Sequence, residues 1–199
     1  MQKIITSLFL LIFTFSSYAD DNDADDNAPA GLNDYVTNLV NEASTTLNNP
    51  NLSQDAKVTK ARELMHNNLD FDWMARYTLG RNGVQTLSKE QIAKFTEVYS
   101  KYVTKAYTDL IKDYKGEKPQ VTGVRVLSPK DSMVSMNINN KGQDIKVEYL
   151  VRKMENGKFK VSDVITEGVS LIGAQQQDFT STLKDQGFDA LVQSLQSRS

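Results

Sequence analysis

The chain has 199 residues, a formal net charge of -2 and no cysteine. That length carries one domain with a sizeable core. The charge argues against a phosphate-backbone binder, which is normally basic, and the cysteine count excludes disulfides, thiolate-held metals and a cysteine nucleophile.

Residues 1–19 read as an export signal. Lys3 gives the positive start, Ile4 to Phe15 an apolar run broken by Thr6, Ser7 and Thr14, and Ser17-Tyr18-Ala19 the small residues of a cleavage site after Ala19. As a helix the run spans about 18 Å at ~1.5 Å per residue, short of the roughly 30 Å of a bilayer core. A cleaved signal is therefore expected rather than an anchor. With no cysteine to lipidate near the cleavage site, a released, soluble mature chain that works outside the cytoplasm is expected. Residues 20–31 open with the acidic stretch DDNDADDNAPA, which has nothing to bury and reads as a disordered leader. Residues 32–199 read as a single domain.

Two amphipathic helices follow. Val36, Leu39, Val40, Ala43 and Leu47 mark the first, stopped by Asn48-Asn49-Pro50; Ser53 caps the second, with Val58, Ala61, Met65 and Leu69 on its face. Phe71 to Leu79 reads as a short helix ended by Gly80, with Arg81-Asn82-Gly83 as a loop. The next helix, Ser88 to about Tyr114, is the clearest. Ser88 and Gln91 form a capping box, and Leu87 with Ile92 a hydrophobic staple. Its stripe is Ile92, Phe95, Tyr99, Tyr102, Val103, Ala106, Tyr107 and Leu110, and Gly116 and Pro119 end it.

The period then changes to two. Val121 to Leu127, Met133 to Ile138, Ile145 to Val151 and Phe159 to Ile165 read as four strands, joined at Ser128-Pro129-Lys130-Asp131, Asn139-Asn140-Lys141-Gly142 and Asn156-Gly157. Short turns imply an antiparallel meander with one face to cover, and the long helix is the expected cover. After Ile172 the pattern is helical, with Phe179 and Leu183, then Gly187, then Phe188, Leu191, Val192 and Leu195. The fold class is α+β.

Catalytic signals are sparse. His66 stands alone near a helix end, no zinc ligand set is present, and no glycine-rich phosphate motif appears. Asp163 is the exception: strict alternation puts it on the face of Phe159, Val161 and Ile165, either as a general base or as a hydrogen-bonded corner post. The tyrosines Tyr99, Tyr102, Tyr107, Tyr114 and Tyr149, with Met133 and Met136, gather between sheet and helix, as plain core or as the wall of a pocket.

Phe71-Asp72-Trp73-Met74-Ala75 with Leu79-Gly80, Glu90-Gln91 with Phe95, and the run Asp163-Val164-Ile165-Thr166-Glu167-Gly168-Val169-Ser170-Leu171 resemble the MlaC, or toluene-tolerance, family over roughly residues 32 to 196. The resemblance departs at Asn82-Gly83-Val84, where relatives often carry a tryptophan. It implies an NTF2-like cone with added helices at both ends. It also implies a non-enzymatic periplasmic phospholipid carrier of the Mla pathway, with lipid as cargo and no cofactor, metal or nucleic acid. The implied partners are an outer-membrane lipoprotein complex and an inner-membrane ABC transporter with an MCE-domain subunit, acting to maintain outer-membrane asymmetry. The expected cavity lining is Phe71, Met74, Tyr99, Tyr102, Val103 and Tyr107 from the helices. From the strands come Val124, Val126, Val134, Met136, Val147, Tyr149, Val151, Phe159 and Val161, with Val169 and Leu171 after them. Asp163, Glu167 and Gly168 are expected as structural polar residues of the signature. Arg76, Arg81 and Arg125 are candidates for headgroup or partner contact. The competing readings are an isomerase-type enzyme on the same fold with Asp163 as base, and an adaptor with a filled core.

Overall fold

The computed structural model describes residues 28–110, 119–140 and 143–199. The expected export signal, most of the acidic leader, the expected helix end near Tyr114 and the turn residues Lys141 and Gly142 lie outside the described residues. Within them, four helices precede the sheet: α1 (Leu32–Asn48), α2 (Gln54–Asn68), α3 (Phe71–Thr86) and α4 (Lys89–Leu110). The strands are β1 (Pro119–Val126), β2 (Asp131–Asn140), β3 (Gln143–Lys153), β4 (Phe159–Thr166) and β5 (Val169–Ser170), and α5 (Leu171–Gln186) and α6 (Phe188–Gln196) close the chain. None of the described helices is long and apolar enough to cross a membrane.

The helix starts follow from their caps. Ser53 Oγ accepts from the Ala56 amide at 3.2 Å, and Asp70 Oδ1 accepts from the Trp73 amide at 3.2 Å. At α4 the expected box is reciprocal: the Gln91 amide donates to Ser88 Oγ at 3.2 Å, and the Ser88 amide to Gln91 Oε1 at 2.9 Å. The α4 stripe is buried at Ile92, Phe95, Tyr99, Tyr102 and Val103, with Val98 added to it.

The end of α3 corrects the sequence expectation. Gly80 does interrupt the helix, at φ 69 and ψ 169, but Arg81-Asn82-Gly83 is helical and the element runs on to Thr86. Packing against α5 explains this. At the break, Gln176 Nε2 donates to the Tyr77 carbonyl at 2.6 Å. Gly83 admits Leu183 so closely that a Cβ at 83 would lie 3.0 Å from its Cδ2. Loop-like composition here serves helix-to-helix approach.

The helical core gathers α3, α4, α5 and α6. Phe179 of α5 meets Phe95, Tyr99 and Tyr102 edge-on, at centroid distances of 6.1, 6.3 and 6.2 Å, the arrangement that ring quadrupoles favour. Leu191, Val192 and Leu195 of α6 complete it.

The sheet is an antiparallel meander in chain order, β1 to β5, with a fifth two-residue strand added to the four expected. Asn156-Gly157 turns the β3–β4 hairpin: the Met154 amide donates to the Lys158 carbonyl at 2.7 Å, and Gly157 sits at φ 80. Register places Val124, Val134, Met136, Val147, Tyr149 and Val151 on one face. That face packs with Leu32 and Val36 of α1 into a second core, with Tyr35, Leu39, Val40, Phe159 and Val164 half-buried around it. The apolar cover packed on the sheet is thus α1 rather than the long helix. The stripe of α4 is taken up by α3, α5 and α6, which leaves the sheet to be closed by α1.

At φ 69 and ψ 169 the Gly80 backbone lies in a region open to glycine almost alone, and a Cβ there would approach Thr180 Cγ2 to 3.0 Å. Gly80→Ala is expected to destabilise the fold by roughly 1–3 kcal/mol. Urea unfolding measures it, and an unchanged midpoint would contradict the account of the kink.

Candidate functional site

The residues expected to line one cavity divide between two cores. Met74, Tyr99, Tyr102 and Val103 lie in the helical core, with Phe71 and Tyr107 packed against it. Val124, Val134, Met136, Val151 and Val161 lie in the sheet-side core, with Tyr149 and Phe159 packed against that one. Leu69, in the α2–α3 connection, packs on both. Val147 is buried on the sheet face between Met136 and Thr166, outside either core. Val126 and Leu171 are half-buried, and Val169 is 43% exposed, so the last of these is surface.

The tyrosines stand where the two cores meet. Tyr149 pairs across the sheet with Val134 and Val164. Tyr107 approaches from α4. Burial pushes both phenols above their ordinary range, and for Tyr107 the neighbouring Tyr149, Asp163 and Tyr102 add to the rise. Tyr99, raised chiefly by burial, donates to Gln175 Oε1 at 2.7 Å. Tyr35, absent from the sequence-based set, tilts against Phe159 at 5.6 Å. Its phenol donates to the Asn68 carbonyl at 3.5 Å and is pushed up to about 12 by burial. Its place beside Val36, one turn before Leu39, was the available signal.

Asp163 is a corner post. Oδ1 accepts from the Val164 amide at 2.8 Å and the Ile172 amide at 3.2 Å, and Oδ2 accepts from Ser170 Oγ at 2.6 Å. Ser170 in turn caps α5 by accepting from the Gly173 amide at 2.9 Å. The expectation that Asp163 shares a face with Val161 and Phe159 is corrected. Asp163 pairs with Leu150 while Val161 pairs with Val151, so the register slips at Ser162. This β-bulge turns Asp163 to the opposite face, with Ile165, and aims it at the start of α5. Glu167 sits at φ 51 and Gly168 at φ 78 in the β4–β5 turn. Glu167 Oε1 accepts from the Lys146 amide at 3.1 Å, which ties that turn to β3.

The charged candidates are surface groups. Arg76 pairs with Asp72 at 2.9 Å along α3, and Arg81 and Arg125 are exposed. His66 is exposed, its ring 5.4 Å from Phe71. Arg76 and Arg81 border a concavity of 310 Å³ at the α3–α5 seam, with Tyr77, Val84 and Gln176. A second concavity, of 390 Å³, is lined by polar residues such as Asn82, Gln177 and Lys184. Both lie on the helical surface away from the sheet-side core.

The sequence model of the MlaC protein family matches residues 37–197. No curated protein matches the chain. Among solved structures, a phospholipid-binding protein from Ralstonia solanacearum, in complex with a phospholipid, is similar with a TM-score of 0.70. It is 22% identical, and the likeness covers 82% of this chain and 93% of that one. At that identity the likeness establishes the fold.

Two outcomes are expected at Asp163. Asp163→Ala strands three donors, one of them in a buried hydrogen bond and two in part-buried ones, and should cost about 2–4 kcal/mol. The pH dependence has a definite sign. Burial raises the carboxyl above its ordinary 3.8 despite the donors that oppose the rise. Stability from this group is therefore full below that value and is lost as pH climbs through the raised folded one. Asp163→Asn, neutral throughout, should show a smaller deficit against the wild type near pH 7 than near about pH 4. Urea midpoints at both values test it, and a deficit that grows with pH would overturn it.

Proposed function

This chain belongs to the MlaC family, and on that premise we propose that it is a phospholipid carrier of the periplasm, delivered there by cleavage after Ala19. The observation that carries the reading is the family match over residues 37–197, on a fold shared with a protein solved with phospholipid bound. The apolar sheet face supports it. Val134, Met136, Val147 and Val151 present aliphatic and thioether surface, and methionine adapts to a mobile chain.

The physical need for such a carrier is large. Two acyl chains hold about thirty buried methylenes, so bare transfer through water costs on the order of 20 kcal/mol at ~0.8 each. A carrier removes that barrier by hiding both chains. A wall about as apolar as a bilayer makes loading and unloading nearly balanced, and donor and acceptor then set the direction. On this reading the protein exchanges lipid with an outer-membrane lipoprotein complex and with an inner-membrane ABC transporter bearing an MCE-domain subunit, and so maintains outer-membrane lipid asymmetry.

Protein purified without detergent is expected to retain phospholipid, detected by native mass spectrometry and solvent extraction. A lipid-free protein that also takes none from vesicles would refute the proposal. Val147→Arg should abolish uptake, whereas Val147→Leu, which keeps the wall apolar, should preserve it. Normal uptake by the arginine variant would move the site off this strand face.

A further inference from the structure

The junction of the two cores has a polar feature that acyl chains alone do not satisfy. Tyr149 rises from the sheet face between Val134 and Val164, and Tyr107 comes from α4 against the helical core. Both are half-buried at this seam. Neither hydroxyl has a hydrogen-bond partner among the described residues, whereas Tyr99 and Tyr35 have theirs in Gln175 and Asn68. A phenol that a bound acyl chain covers loses water as its acceptor, which is unfavourable, and hydrocarbon offers none. A phosphate could accept, but its charge resists an enclosed apolar setting. The neutral acceptors that enter with acyl chains are the ester carbonyls joining them to glycerol.

We propose that Tyr107 and Tyr149 donate hydrogen bonds to the ester carbonyls of a diacyl glycerophospholipid, so that the site selects ester-linked over ether-linked chains. The proposal rests on the phospholipid reading above and adds a chemical preference to it. An ether linkage lacks the carbonyl, so one or two hydrogen bonds are lost, worth about 5- to 30-fold in relative occupancy.

The test uses the full-length exported protein and vesicles of phosphatidylglycerol in which diester and diether forms of equal chain length are mixed equally. Bound lipid is quantified by mass spectrometry after the vesicles are removed. The wild type is expected to be enriched in diester by about 5- to 30-fold. Tyr107→Phe and Tyr149→Phe, singly and together, should bring the diester-to-diether ratio of the bound lipid toward unity. The single variants report even where the double variant melts early. Equal uptake of the two forms by the wild type overturns the ester preference and leaves the lipid reading standing. Uptake of neither overturns the lipid reading as well. A preference that survives both phenylalanine substitutions assigns the donors elsewhere and overturns the role of these tyrosines.

Discussion

The joint between sheet and bundle hangs on one carboxylate. Asp163 lies near the end of β4 and reaches, within nine residues of chain, its own neighbour Val164, the β5 residue Ser170 and the α5 residue Ile172. That set fixes where the last strand stops and where α5 begins. The position of α5 then decides the rest, because α5 carries Phe179 into the rings of α4 and Gln176 onto the break in α3. The bulge at Ser162 is the device that aims the carboxylate. Without the slip in register it would face the aliphatic side of the sheet, where ionisation has no donors to oppose burial.

Much of this was legible in the residues, for reasons that are local. Ser88 with Gln91, Ser53, and Asn156-Gly157 each act within a few positions, so their geometry is written where they stand. The strand faces follow from period two as far as the register holds. What sequence could not supply were the effects decided elsewhere in the chain. Arg81-Asn82-Gly83 has loop composition, and only Leu183 and Gln176, about a hundred positions on, keep it in α3 by packing. The extra residue at Ser162 leaves no compositional trace, so alternation misplaces Asp163. The stripe of α4 announces that it will be buried but not against what. The partner turned out to be the bundle, and α1 took the sheet.

The division into two cores clarifies the tyrosines. The helical core is closed by aromatic edge contacts, and the sheet-side core by aliphatic residues and α1. Tyr107 and Tyr149 belong to the seam, where neither core supplies their hydroxyls with a partner. A seam of that kind combines apolar walls with a few oriented donors, which is the usual composition of a small-molecule site. The concavity lined by Asn82, Gln177 and Lys184 has the opposite character and suits water better than hydrocarbon.

The closing of the sheet by α1 bears on the order of folding. Each strand of the meander pairs with the strand before it, so the sheet forms through short loops. Leu32 and Val36 can dock only after that sheet exists, and α2, α3 and α4 lie between them and Val124. Loop closure makes such a contact late. Of the described helices α1 is thus the one expected to dock last, and the aliphatic sheet face stays uncovered by it until then.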